Sequence, residues 1–96
     1  RALALAEDGY APAYPIVGHK YLIGSGTQVD LAAAERWYRM AAKNLEFPDQ
    51  EPLTDLAGIL GPVYGREEKA DELLRESARA GGRRAQAELQ SRGLSW

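Results

Sequence analysis

His19 is the one histidine of the chain and cysteine is absent, so a metal centre or an acid–base pair would have to be built almost wholly from carboxylates. Two acidic groups offer themselves. Asp49, Glu51 and Asp55 lie close together in sequence. They lack the oxygen-ligand spacing and the glycine of a calcium loop, and read as a solvated acidic loop. Glu67, Glu68, Asp71 and Glu72 could be arranged as catalytic carboxylates, but at helical spacing their ordinary role is a charged helix face. The stretch GSGTQV is glycine-rich yet carries no Lys-Ser/Thr to hold a phosphate. Arg79, Arg83, Arg84 and Arg92 make a modest basic end, suited to an acidic partner or, more simply, to a solubilising cap. Trp37 and Tyr38 could stack on a sugar, yet alanines flank them, which points to a packed core. None of these sets completes a catalytic constellation, and none calls for a cofactor or a metal. The reading is non-enzymatic.

Composition narrows the remaining classes. Ninety-six residues with 45% apolar content and a net charge of −2 describe one small globular unit. The basic excess of a nucleic-acid binder is missing. No apolar run approaches the length of a membrane span, and no signal peptide opens the chain. The first residues, RALALAEDG, already read as helix and carry no initiator Met, which suggests a piece of a longer or processed protein. The absence of cysteine leaves the compartment open.

The elements that must position these residues are helical. Ala34, Trp37, Tyr38, Ala41 and Ala42 recur at i, i+3, i+4, i+7 and i+8, one face of a helix. Asp30 precedes that helix as a cap. A first helix ends at Gly9, and APAYPIVGHKYLI ends at Gly24, which can supply the positive φ of a helix stop. Pro12 and Pro15 leave two possibilities there, a late start near Tyr14 or Pro15 and a kink. LEFPDQEP, with Pro48 and Pro52, reads as a loop with a kinked entry to the short apolar helix LTDLAGIL, and GPVYG as a turn. REEKADELLRESARA is the clearest amphipathic helix. Glu67 and Glu68 fall in its first turn and Arg79 in its last, as the helix dipole favours, and Asp71 and Arg75 form an i,i+4 pair. GG ends it, and RRAQAELQSRG begins another helix. No segment alternates as a strand does, so five or six helices are expected.

A repeat underlies the pattern. Ala34, Trp37, Tyr38, Ala41 and Ala42 are answered by Ala70, Leu73, Leu74, Ser77 and Ala78, each 36 residues later. Ala13 and Val17 are answered by Ala85 and Leu89 at twice that step. The intervening helix keeps register only at a step of 39, with Val17 and Gly18 matching Leu56 and Ala57. Gly18 and Ala42 are read as small because two helices approach closely there.

With this register, residues 11–45 resemble one Sel1-like repeat, the helix-pair relative of the tetratricopeptide (TPR) repeat. The family's pattern is met by Ala11, Ala13, Gly18, Tyr21, Gly24, Gly26, Asp30, Ala34, Trp37, Tyr38, Ala41 and Ala42. Val17 stands in for Leu, Thr27 for Val, and Leu45 replaces the closing Gly. Residues 49–81 form a degenerate copy without the G-x-G loop and with Leu73-Leu74 in place of Trp-Tyr. Residues 1–9 resemble the tail of a preceding repeat, and residues 82–96 a capping helix and tail.

The resemblance implies an all-α fold, an α-solenoid of antiparallel helix pairs with a right-handed superhelical sense. It implies a scaffold or adaptor binding a protein partner, a peptide or a helix, in the concave groove lined by the first helix of each pair. By the tetratricopeptide register the residues facing that groove would be Pro12, His19 and Ile23, then Thr54 and Gly58, then Ala87 and Ser91. Such a groove would be shallow, mostly neutral and built of small residues. Relatives of this kind serve as adaptors in bacterial signalling, envelope assembly and exopolysaccharide secretion, and in eukaryotic protein degradation. The alternative is a structural spacer or a regulatory segment of a larger assembly. A binding module would bury Tyr14, Phe47 and Tyr64, read as exposed aromatics, against its partner. Oligomeric state stays open.

Overall fold

Helices account for all the regular structure in the computed structural model, which describes residues 2–44 and 51–96, and no strand occurs among them. Among the described residues six α-helices and one 3-10 turn follow in order, and the chain divides into two units, Arg1–Glu46 and Phe47–Trp96. Leu45, Phe47, Pro48 and Asp49, with the loop assigned to them, lie outside the described residues.

The first unit holds α1 (Ala2–Glu7), the 3-10 turn Ala11–Ala13, α2 (Tyr14–Ile23) and α3 (Leu31–Lys43). Pro15 sits in the first turn of α2, where its missing N–H costs nothing. The two prolines are therefore accommodated by a late start preceded by a 3-10 turn. Gly24 closes α2 at φ 74° with its N–H on the Lys20 carbonyl. Asp30 opens α3, its Oδ1 accepting the Ala33 N–H at 3.0 Å. Contacts run in opposite order along α2 and α3. The Asp30 N–H meets the Tyr21 carbonyl, a Cβ at Gly18 would meet Ala34 and Tyr38, and the Tyr14 ring lies 5.8 Å from Trp37. The pair is antiparallel.

Tyr38 is buried, whereas Trp37 is half-buried against Ala6, Ala13, Tyr14, Val17 and Ala41. The adjacent aromatics thus divide their work, Tyr38 between α2 and α3 and Trp37 toward Tyr14 at the start of α2. Tyr14 itself is buried, which corrects its reading as an exposed aromatic. Its ring packs against Trp37 at a 40° tilt.

The second unit holds α4 (Pro52–Leu60), α5 (Glu67–Arg79) and α6 (Arg83–Ser91). α5 packs antiparallel on both neighbours. Thr54 meets Ser77 and the Arg66 N–H meets the Leu60 carbonyl on one side; Gln86 meets Ala78 and Arg92 meets Asp71 on the other. α3 and α5 are offset by 36 residues at both ends. Ala34, Tyr38 and Ala41 are buried as are Ala70, Leu74 and Ser77, whereas Trp37 and Ala42 are half-buried where Leu73 and Ala78 are buried. Val17 and Leu56 are buried alike at the step of 39, as are Ala13 and Ala85 at 72.

Candidate functional site

α5 ends in a tight double closure. The Gly82 N–H reaches the Ser77 carbonyl at 2.8 Å and the Gly81 N–H reaches that of Ala78 at 3.0 Å, with Gly81 at φ 96°. This is the Schellman arrangement, which favours a glycine in the left-handed position. It leaves Gly82 as the N-cap of α6 with no side chain to satisfy the helix's free N–H groups.

Glu51 supplies what Gly82 lacks, from more than thirty residues upstream. Its Oε2 accepts the Arg84 N–H at 2.8 Å and its Oε1 accepts the Ala85 N–H at 3.0 Å. Thr54 Oγ1 lies 2.9 Å from Oε1 and 2.8 Å from Ser77 Oγ. A carboxylate only accepts, so Thr54 gives its single proton to Glu51 and takes one from Ser77. The Arg84 guanidinium stands 3.7 Å away. Glu51 is 6% exposed, so the solvated acidic loop is corrected at this position. Burial pushes its carboxyl upward. The Arg84 and Ala85 N–H groups, the Thr54 hydroxyl and the Arg84 charge outweigh that push, and the net shift is downward.

This capping contact joins the start of α4 to the start of α6, and an open groove of about 940 Å3 lies between the two helices. α4 and the turn after it contribute Asp55, Gly58 and Pro62; Ala57, Ala70 and Leu74 give apolar surface, the last two from α5. α6 presents Arg84 and Glu88 and its C-cap presents Arg92, at i, i+4 and i+8. Glu67 and Asp71 complete the lining from α5.

Two ion pairs use part of this charge. Arg84 meets Asp55 at 2.8 Å, and Arg92 meets Asp71 at 2.9 Å. Asp71 is thus taken by α6 rather than by Arg75, whose Nε donates to the Ser95 carbonyl. Arg84 and Arg92 stay largely exposed while each holds a carboxylate of a neighbouring helix. Hydrogen bonding to Asp71 and then its charge raise the Arg92 guanidinium above its ordinary value, and Glu88 and Glu67 add to the effect.

The residues assigned to the groove from sequence distribute unevenly. Thr54 and Gly58 line it together. The Thr54 hydroxyl is spent on Glu51 and Ser77, while Gly58 is exposed, with nothing within 4 Å of where its Cβ would stand. Ala87 and Ser91 are exposed on α6, one residue before Glu88 and Arg92 and outside the lining. Pro12, His19 and Ile23 are exposed on the first unit. Four carboxylates and two guanidiniums face this groove, so it is charged rather than neutral. A glycine pair before a helix with no polar N-cap was the available sign that a distant acid must serve there. Among the described residues, no group of three or more His, Asp or Glu side chains is placed to hold a metal, and no helix is long and apolar enough to cross a membrane.

Compared with protein-family models, with curated proteins and with solved structures, the chain has no match.

Proposed function

We propose that this chain is a non-catalytic interaction module, a scaffold or adaptor of Sel1-like, TPR-like helix pairs forming an α-solenoid, that binds a protein partner in the groove between α4 and α6. The observation that carries the reading is the groove itself, walled by two first-position helices and bearing Gly58 open on one wall. The recurrence of buried positions between α3 and α5 supports the repeat register. The resemblance extends the reading to a segment of a larger bacterial protein.

The test compares the chain with its Gly58→Arg variant as baits. Arg is a better helix former than Gly by up to ~1 kcal/mol, so the variant fills the groove without weakening α4. A partner retained by the original and lost by the variant supports the groove. A partner indifferent to Gly58→Arg but lost with Arg83→Glu places binding on the basic end instead. The spacer reading draws on the exposed Leu3 and Leu5 of α1, apolar surface that a neighbouring repeat could cover. It predicts that no partner distinguishes the two baits.

A further inference from the structure

Charge in the α4–α6 groove is unevenly spent. Asp55 and Asp71 hold Arg84 and Arg92 in direct ion pairs. Glu67 and Glu88 line the same groove and act on Arg92 only through space, without a direct ion pair. Three carboxylates therefore gather around one guanidinium, leaving local negative charge beside an apolar floor of Ala57, Ala70 and Leu74. An acidic guest would have to pull Arg84 from Asp55 or Arg92 from Asp71. A cationic guest displaces nothing.

Resting on the groove reading above, we propose that the occupant is an extended peptide whose Lys or Arg side chain is received by Glu67 and Glu88, while its small apolar side chains lie on the Ala57, Ala70 and Leu74 floor. Gly58 leaves room on the α4 wall for the peptide backbone to approach. The groove's volume of about 940 Å3 lies within the range of small-molecule-sized clefts.

Short fluorescein-labelled peptides test this by fluorescence anisotropy. One repeats Lys-Ala-Val, a second replaces each Lys by Gln, and a third replaces each Lys by Glu. The Lys peptide binds best, and its advantage shrinks between about 0.01 M and 0.15 M salt. Glu67→Gln with Glu88→Gln weakens it by roughly twofold to thirtyfold, the range for two exposed charge pairs. Glu68→Gln with Glu72→Gln, the same charge change on α5 outside the groove lining, leaves binding unchanged. Circular dichroism confirms that each variant retains its helices.

Equal binding of the Lys and Gln peptides, both lost on Gly58→Arg, overturns the cationic preference and leaves the groove reading standing. Equal weakening by the two double variants means the peptide senses only net charge, and the assignment to Glu67 and Glu88 fails. Binding of the Lys peptide that survives Gly58→Arg removes the groove as its site. Absence of binding by all three peptides overturns the inference, and the bait comparison then decides the wider reading alone.

Discussion

Glu51 and Ala85 are joined by a 3.0 Å hydrogen bond that makes the residue before α4 the cap of α6. The contact is buried, and it accounts for two otherwise separate features of the chain, the glycine pair after α5 and the acid before Pro52. A carboxylate at a helix N-terminus gains from both the free N–H groups and the helix dipole. Its chief effect is to hold the two walls of the groove at one end.

Glu51 should make stability depend on pH. Its folded carboxyl titrates below its unfolded value, so the contribution is fully present above about pH 4.3, the unfolded value. It is lost as pH falls through the lower folded value. Glu51→Gln should cost about 1–3 kcal/mol at neutral pH, the range for leaving buried donors poorly satisfied. Urea denaturation at neutral and acid pH should show the variant's deficit narrowing in acid; a deficit independent of pH would mean that Glu51 is not held as a carboxylate.

Gly82 should tolerate no side chain. A Cβ there would stand 2.5 Å from Ser77 Oγ and 2.8 Å from Glu51 Oε1. Gly82→Ala should destabilise by about 1–3 kcal/mol, as overpacked sites do. Combined with Glu51→Ala the penalty should be less than the sum, because one of the clashing groups is gone. Strict additivity in a denaturation cycle would separate the two residues.

Gly18 and Gly58 should respond with opposite signs. At Gly18 a Cβ would meet Tyr38 Cδ2 at 2.8 Å and the Ala34 carbonyl at 3.3 Å, so Gly18→Ala should cost about 1–3 kcal/mol. Gly58 faces open space in a helix interior, and Gly58→Ala should stabilise by about 0.5–1 kcal/mol. Thermal melts of the two variants check both: a raised melting point for Gly18→Ala would contradict the α2–α3 approach, and a lowered one for Gly58→Ala would contradict the open space at that site.

The adjacent aromatics should rank by burial. Tyr38 is 4% exposed, and Tyr38→Ala should cost about 3–5 kcal/mol, like other large aromatic truncations. Trp37→Ala should cost less, because that ring is only half-buried. Asp30→Ala should cost about 1 kcal/mol for its lost cap. Chemical denaturation that ranks Trp37 above Tyr38 would reverse the division of work between them.

The sequence by itself determined the helices and their buried faces. Period, caps and stops act within a few residues, so Asp30, Gly24 and the Ala34–Tyr38–Ala41 face were legible without a partner in view. The 36-residue step carried the same face from α3 to α5, because like positions in like helices meet like neighbours. Which charges meet across helices was decided only by the tertiary structure. Asp71 has Arg75 one turn away in sequence, yet packing brings Arg92 to it at 2.9 Å. Glu51 read as loop acid because the N–H groups that receive it lie on a helix whose approach depends on α5 packing between them in chain order. Charge partners are set by where helix surfaces come together, and a local pattern holds no record of that distance.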